Sequence, residues 1–513
     1  MPAVLIRDVR IVAVGGVPAP RRPVDLLARD GKVVALAPRL TALGREDGRP
    51  IRELRADGRW LIPGLWDHHV HMVQWSRTFN WLAMSGATSA EDALARVAAR
   101  LAETRPGHAV IGFGHRSARW QRPPTVAELD GVAGEVPVVL ISGDAHHGWL
   151  NSSALRLLGL PPRDDVLAES DWFGVIGRLG ELPQDGAANE RALAEAVSRA
   201  HALGVVGITD LEFGRNWIDW PERVAAGTDT LRVRAATYAD TLDEVIAAGL
   251  RTGDPLPGGK GMVTMGPLKV ISDGSLNTRT AWCHQPYADA ATGSDPYGRP
   301  NLSADELMAV LRRATGAGLR MALHAIGDAA VGAGLDAFAA TGATGSIEHA
   351  QLTTIDDVRR MGRLGVVASV QPAHLLDDRD VTAACWPDRA ERCFMLRSML
   401  DAGVALALGS DAPVSPLNPW LAMAAAVHRS ADEREPWNPA EALTPAQALA
   451  ASTDGATTVA VGSPADLVLL DADPLAAAED SAAAGAALRA MPVAVAATLV
   501  GGRIVHREPD LGG

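Results

Sequence analysis

The segment PGLWDHHVH, residues 63–71, combines an apolar run with closely spaced histidines. The apolar run predicts a β-strand, and residues two apart on a strand project from the same face. His69 and His71 therefore project together, whereas His68 faces the opposite side. Two imidazoles placed in this way are typical of zinc ligands. An HxH pattern also arises by chance, so its interpretation depends on the rest of the chain.

The central part of the chain alternates between apolar runs and segments with helical character, such as Ser303–Gly318 and Ile355–Leu364. Strands that alternate with helices indicate an α/β fold with parallel βαβ units, and eight such units match a closed (β/α)₈ TIM barrel. A doubly wound sheet is the alternative, but no GxGxxG motif follows a first strand. The eight apolar runs are Leu61–Val70, Val205–Asp210, Leu231–Tyr238, Met265–Asp273, Arg320–Ala325, Gly345–His349, Val366–Gln371 and Val404–Asp411.

Both ends of the chain predict short strands, with turns at Asp30-Gly31 and Gly501-Gly502. A chain of 513 residues is also too long for one ordinary core. We therefore predict a small β-sandwich domain formed by both termini, residues 1–60 and 456–513, beside a barrel over residues 61–455. The gap of about 72–200 is too long for one crossover, so we predict a large insertion after the first barrel strand that covers the barrel mouth.

Composition limits the classes of partner. The formal net charge is -13, which disfavours nucleic acid and anionic membranes because both attract basic surfaces. Three sparse cysteines in 513 residues give no disulfide or zinc-ribbon pattern, which is typical of a reducing compartment. The N-terminal sequence lacks the uninterrupted apolar run of a signal peptide. We expect a cytoplasmic protein that acts on a small molecule.

Further polar residues fall at or near the ends of the predicted strands. His324, His349 and Asp411 each close an apolar run, and Lys269 lies within one. Barrel enzymes place their catalytic residues at the C-terminal ends of the strands. A single histidine at such a position is more often structural, but the joint occurrence of these residues with His69 and His71 indicates a metal site.

Lys269 has apolar neighbours, where an unpaired charge is costly. One solution is a salt bridge to Asp273 or Glu348. The other is reaction with carbon dioxide to form a carbamate, which burial favours because it lowers the pKa of the amine.

Several motifs together resemble the amidohydrolase superfamily, and within it amidohydrolase family 3, which includes N-substituted formamide deformylase-like enzymes. The motifs are PGLWDHHVH (63–71), GDAHHGWLNS (143–152), KVISDGSLNTRTA (269–281), HAIGDAAV (324–331), IEHAQ (347–351) and GSDAPV (409–414). The chain departs from the family pattern at Asn277 and Thr278, beside Arg279, and neither residue is an expected ligand.

The resemblance implies hydrolysis of a C–N, amide-type bond by metal-activated water, with one or two divalent metals such as Zn²⁺ and a carbamate on Lys269 if two bind. It gives Asp411 the catalytic proton transfer, suggests a polar substrate contact for His146, and leaves a homodimer open. Asp273 and Arg279 are further substrate-binding predictions, although a loop-stabilising ion pair between them is equally consistent with the sequence. Deaminase, esterase or lactonase chemistry and a metal-free, non-catalytic barrel scaffold remain alternatives. The implied metal ligands are His69, His71, Lys269, His324, His349 and Asp411.

Overall fold

Eight parallel strands form the central sheet of the protein, and they follow one another in chain order. This computed structural model describes residues 3–41, 45–46, 49–117, 120–290, 295–430, 434–477, 479–509 and 511. The sheet closes between its first and eighth strands, where the Asp411 N–H donates to the His69 carbonyl at 2.6 Å. The predicted (β/α)₈ barrel is confirmed. Its strands 1 to 8 are Leu65–Val70, Val205–Asp210, Arg232–Thr237, Val263–Ile271, Met321–Ala325, Gly345–His349, Val367–Val370 and Leu406–Leu408.

Helices surround the barrel with their apolar stripes facing the strands. In Ala304–Gly316, the buried residues Leu307, Leu311 and Ala314 share one face of the helix. This helix begins at a capping box, in which the Ser303 side chain and the N3 residue exchange hydrogen bonds with backbone N–H groups. The other helices that follow barrel strands 2 to 8 are Asn216–Ala225, Leu242–Ala247, Asp328–Thr341, Ile355–Leu364, Leu375–Cys385, Leu396–Asp401, Pro419–His428 and Pro445–Ala450.

A second, eight-stranded sheet is built from both ends of the chain, as the sequence predicts. Its core contains Leu26 and Leu54 from the N-terminal part and Leu469 and Leu499 from the C-terminal part, all fully buried. Along the chain, the helix Ser481–Ala490 connects the strands Leu467–Leu470 and Val495–Val500. The strands are Val4–Ile11, Val24–Arg29, Lys32–Ala37, Arg52–Arg55, Trp60–Pro63, Leu467–Leu470, Val495–Val500 and Arg503–Arg507, and Arg45–Glu46 pairs separately with Arg49–Pro50.

The apolar run over residues 61–70 contributes to both sheets. Trp60–Pro63 pairs with Leu467–Leu470 in the terminal sheet, whereas Leu65–Val70 is barrel strand 1. The chain changes sheet at Gly64, where an added Cβ would lie 2.3 Å from a methyl carbon of Val206. A side chain at this position would therefore push the second barrel strand away.

The segment between barrel strands 1 and 2 contains its own five-stranded sheet. Its strands are Leu82–Ala83, Val110–His115, Val138–Ser142, His147–Leu150 and Leu167–Ala168. The helices of this segment are Met72–Arg77, Ala90–Glu103, Val126–Ala133, Ser152–Leu157, Glu169–Ile176 and Gly186–Ala202. The last of them packs against barrel strand 2 and completes the first crossover. Short 3₁₀ helices occur at Leu179–Glu181, Pro372–His374, Ala390–Arg392, Pro439–Glu441 and Met491–Ala494.

Within the part of the chain that the structure describes, no helix has the length and apolarity needed to cross a membrane.

Asp466 joins the terminal sheet to the barrel. Its carboxylate accepts two hydrogen bonds from the Arg232 guanidinium, at 2.6 and 3.0 Å, and one from the Gly501 N–H at 2.6 Å. Bidentate pairs of this kind are stronger than neutral hydrogen bonds.

We expect Asp466→Asn to lower the free energy of unfolding by about 1–3 kcal/mol, because one partner of a partly buried, charged hydrogen-bond network is lost. Thermal and urea unfolding of the purified protein measure the change. Glu195→Gln, which removes an exposed ion pair with Arg199, is the control and should have little effect. Equal stability of the two variants would show that the Asp466 contacts contribute nothing measurable.

Candidate active site

Six polar side chains from five barrel strands or their ends converge on one cleft at the C-terminal mouth of the barrel. The Nε2 atom of His69 lies 3.2 Å from Oδ1 of Asp411 and 3.3 Å from Nζ of Lys269. The Nε2 atom of His71 lies 3.6 Å from the same Asp411 oxygen. The lining of this cleft includes all six residues that the family resemblance implies as ligands, namely His69, His71, Lys269, His324, His349 and Asp411.

His324 and His349 occupy the far side of this group. Their ring centroids are 4.5 Å apart, and the His349 ring lies 5.1 Å from that of His69. His349 and Asp411 both have positive φ angles, 71° and 57°, which are uncommon for residues other than glycine. Such strain persists where the surrounding structure fixes the backbone. Here both residues lie at strand ends that turn into the cleft.

Glu348 orients His69 from below the cleft. Its carboxylate lies 2.7 Å from Nδ1 of His69, and both groups are almost fully buried. Because a carboxylate only accepts, Nδ1 carries the proton and the Nε2 lone pair of a neutral ring is left facing Asp411 and Lys269. Burial acts to raise the pKa of Glu348, but the hydrogen bond and charge of His69 together with Lys269 and Ser346 outweigh it, and the net shift is downward. A carboxylate behind a histidine is the usual outer support of a metal-ligating imidazole.

The donor set fits a divalent metal. Ligand atoms of His69, His349 and Asp411 all lie within 4.8 Å of one another. Nδ1 of His349 is buried, and no described residue provides it with a hydrogen-bond partner. Imidazole nitrogens with a carboxylate oxygen are the ligand types that zinc and similar ions prefer.

The charges in the cleft are strongly coupled. Burial lowers the pKa of Lys269, against the opposing effects of Glu348 and Asp411. Burial acts to raise the pKa of Asp411, but the neighbouring His69 and His349 outweigh it and hold that pKa well below its usual range. Burial also lowers the pKa of His71 to about 4. Asp411 is therefore ionised and His71 neutral at physiological pH.

Comparison with known proteins agrees with this geometry. The amidohydrolase family model matches residues 53–506. The chain belongs to the amidohydrolase family. The resemblance predicted from the motifs is thus confirmed, and family membership together with the donor set supports a metal-dependent hydrolase.

Relatives of this amidohydrolase cover most of its length. Protein LONG AFTER FAR-RED 3 of Arabidopsis thaliana is 28% identical over 479 residues, which cover 85% of this chain and 80% of the relative. The N-substituted formamide deformylase of Arthrobacter pascens is 26% identical over 480 residues, covering 82% and 85%. An uncharacterised metal-dependent hydrolase from Pyrococcus horikoshii has the same fold, with a TM-score of 0.76, 24% identity, and coverage of 93% of this chain and 99% of that structure.

The inserted segment of the amidohydrolase supplies part of the cleft wall. Phe173 and Ile176 come from the helix Glu169–Ile176 and line the cleft beside the barrel residues Phe213 and Tyr238. The rings of Phe213 and Tyr238 are stacked with centroids 4.7 Å apart. The ring of Phe213 also stacks on that of His71 with centroids 5.7 Å apart, so this apolar wall lies directly beside the candidate metal ligands.

His146 also enters the cleft from the insertion, as predicted. Its ring packs edge-on against Phe173 at 5.1 Å and lies 5.9 Å from that of His324. Its backbone N–H donates to Asp144, and this carboxylate also accepts a hydrogen bond from Ser275 of the barrel at 3.2 Å. Asp144 therefore fixes the insertion to the barrel beside the metal ligands.

The structure places Asp273 and Arg279 outside the residues that line the two clefts at the barrel mouth. Asp273 is fully buried and accepts hydrogen bonds from the backbone of Trp282, Ile326 and Gly327 at 2.9–3.0 Å. Arg279 forms an ion pair with Asp289 at 2.6 Å. These contacts stabilise loops around His324, and a direct role in substrate binding stays a prediction for both residues.

Local sequence patterns do not show the structural role of two residues near the candidate ligands. The sequence predicts Glu348 only as a salt-bridge partner of Lys269, although its place beside His349 indicates a position at the barrel mouth. Nε2 of His374 lies 3.9 Å from Oδ2 of Asp411, and its ring stacks on His349. It follows barrel strand 7 by four residues, so the same strand-end rule points to it.

Because Glu348 fixes the tautomer and orientation of His69, we expect Glu348→Gln to weaken metal binding by about 10–100-fold. Titration of the purified protein with Zn²⁺ against a competing chelator dye measures the affinity. Glu391→Gln, at an exposed position, is the matched control. Unchanged affinity in Glu348→Gln would contradict the orienting role.

Proposed function

We propose that this amidohydrolase is a zinc-dependent enzyme that cleaves a C–N, amide-type bond of a small molecule. The observation that carries the proposal is the convergence of four histidines, Asp411 and Lys269 on one cleft. The name of the Arthrobacter relative, N-substituted formamide deformylase, supports a C–N bond as the target. The cleft combines a few convergent polar groups with aromatic side chains, as small-molecule sites do.

The residues that would hold the metal are the four histidines together with Asp411 and, as a carbamate, Lys269. When bound, a divalent metal would lower the pKa of its water to near neutrality, and the metal would polarise the substrate carbonyl. Phe173, Phe213 and Tyr238 form an apolar part of the cleft wall.

Asp411 performs the proton transfer in this proposal. Its carboxylate is ionised, and it contacts His69 and His71 within the ligand group. It accepts a proton from the attacking water at a carboxylate oxygen and then donates that proton to the departing amine nitrogen, acting first as a base and then as an acid.

Lys269 is positioned to form a carbamate. Burial lowers the pKa of its amine, so the neutral form that reacts with carbon dioxide is more accessible. In the reaction an N–C bond forms, one proton leaves the nitrogen, and an anionic oxygen ligand replaces the cation. The product would satisfy a buried position that is costly for an unpaired ammonium group.

A substrate panel tests the reaction class. We expect small amides and formamides to be hydrolysed, with activity lost on chelator treatment and restored by Zn²⁺. The panel should include esters, lactones and aminated heterocycles at equal concentration. Preference for one of these other classes would contradict amide specificity, whereas full metal loading without any turnover would favour a scaffold.

We expect Asp411→Asn to lower kcat by at least about 100-fold, because the amide cannot accept the proton from water. Zinc content is expected to stay close to that of the natural protein, since the histidines remain. Kinetics and elemental analysis of the same preparation measure both quantities. Asp401→Asn, on an exposed helix end, is the control. Activity within a few-fold of normal in Asp411→Asn would contradict the proton transfer.

For Lys269→Ala we expect lower metal occupancy and partial rescue of activity by added short carboxylic acids, because these can replace the carbamate oxygens. The matched control is Lys260→Ala, which alters an exposed lysine. Full occupancy and full activity in Lys269→Ala would exclude the carbamate.

A further inference from the structure

A second cavity of about 780 Å³ opens beside the metal ligands. It shares His349 and Asp411 with the metal cleft, so one substrate can occupy both spaces. Several charged and polar side chains line it, although apolar atoms form most of its surface. We call this cavity the polar chamber and define it by His115, Arg116, Asp144, Gln351, Asp377 and Asp378.

Asp378 lines the polar chamber, and one of its two carboxylate oxygens already accepts a hydrogen bond from the protein. The Gln351 side-chain amide donates to Oδ2 of Asp378 at 3.0 Å, and the residue is only 8% exposed. No described residue forms a hydrogen bond or an ion pair with the other oxygen. A buried carboxylate that lacks a cationic partner is costly, and burial together with Asp377 raises the pKa of Asp378 to about 7.

The cationic side chain in this lining, Arg116, already has an anionic partner. Arg116, from the insertion, donates to Oδ2 of Asp377 at 2.5 Å, which satisfies the more exposed of the two adjacent aspartates. Both aspartates lie in the first turn of the helix Leu375–Cys385, where acids stabilise the helix dipole. Helix stabilisation is sufficient to explain exposed Asp377, but it does not explain a buried carboxylate that faces a cavity.

A second acceptor in the lining also lacks a donor. His115 is fully buried, and its Nε2–H donates to the Leu140 carbonyl at 3.1 Å. In the neutral ring Nδ1 is therefore an acceptor, and no described residue provides it with a partner. Burial lowers the pKa of His115 to about 3, so the ring is neutral. His115 therefore holds a buried acceptor beside the chamber, and Asp378 contributes an anionic acceptor to the lining itself.

We propose that the polar chamber binds a protonated primary amine of the substrate, with Asp378 as the residue that selects it. An ammonium group provides three donors and a positive charge, which match the unused oxygen of Asp378. The substrate would be an amide that carries an amino group on one side of the scissile bond. This inference rests on the proposed function for its placement of the scissile bond.

The first experiment measures binding and requires no turnover. Isothermal calorimetry at neutral pH compares 1,4-diaminobutane with 1,4-butanediol, which lacks the charge. We expect saturable binding of the diamine only, weakened at least tenfold by Asp378→Asn and changed less than twofold by Asp380→Asn. Asp380 lies on the same helix but is 67% exposed. If Asp378→Asn does not fold, Asp378→Ala removes the charge without adding an amide.

Absence of saturable diamine binding to the natural protein, or equal affinity in Asp378→Asn, would overturn the inference. A second experiment compares hydrolysis of N-(4-aminobutyl)formamide with that of N-pentylformamide. We expect Asp378→Asn to lower the ratio of their kcat/KM values at least tenfold. If neither formamide is cleaved but diamine binding depends on Asp378, the proposed reaction fails and the amine site stands.

Discussion

The active site depends on the junction between barrel strand 1 and the chain after strand 8. The buried carboxylate of Asp67 accepts hydrogen bonds from the N–H groups of His69 and Ser410, at 3.1 and 3.0 Å. On the other side of the junction, the Asp411 N–H donates to the His69 carbonyl. These bonds close the barrel and bring His69, His71 and Asp411 to one point. Because this junction is buried away from solvent, the pKa of Asp67 is raised to about 6.

Closure of the barrel brings several ionisable groups together in a region that is buried away from solvent. Lys269, Asp411 and Glu348 are all buried around His69, and buried charges are costly unless they are paired or bind a metal. The protein satisfies Glu348 through His69, but buried His349 has a ring nitrogen with no partner among the described residues. A metal cation would bind the remaining ligand atoms, whose lone pairs otherwise lack a partner. Metal binding and the stability of this region are therefore coupled.

The insertion makes the barrel mouth asymmetric. One side of the cleft receives Phe173 and Ile176 from its last helix before the crossover, and the other side receives Arg116 and Asp144. The barrel supplies the reaction chemistry, and the insertion supplies much of the surface that a substrate contacts. Substrate selection in such a fold can change without any change in the metal ligands.

The sequence by itself determined the barrel and which polar side chains meet at its mouth, because both depend on local patterns. Strand and helix periodicities are local, and ligands at strand ends such as His324 and Asp411 are brought together by any closed barrel. Glu348 and His374 required the tertiary structure. In a regular strand, Glu348 and its neighbour His349 project to opposite faces. Only the packed barrel shows that the Glu348 carboxylate contacts His69 of barrel strand 1.

The placement of the insertion also required the tertiary structure. The predicted segment of about 72–200 includes the helix Gly186–Ala202, which packs on barrel strand 2 and not with the inserted sheet. Helical periodicity is the same in both places, so the sequence does not distinguish them. The contacts of Asp378 with Gln351 and of Arg116 with Asp377 join residues 27 and 261 positions apart. Hydrogen bonds over such separations depend on how the loops pack at the barrel mouth, and no local pattern in the chain specifies that packing.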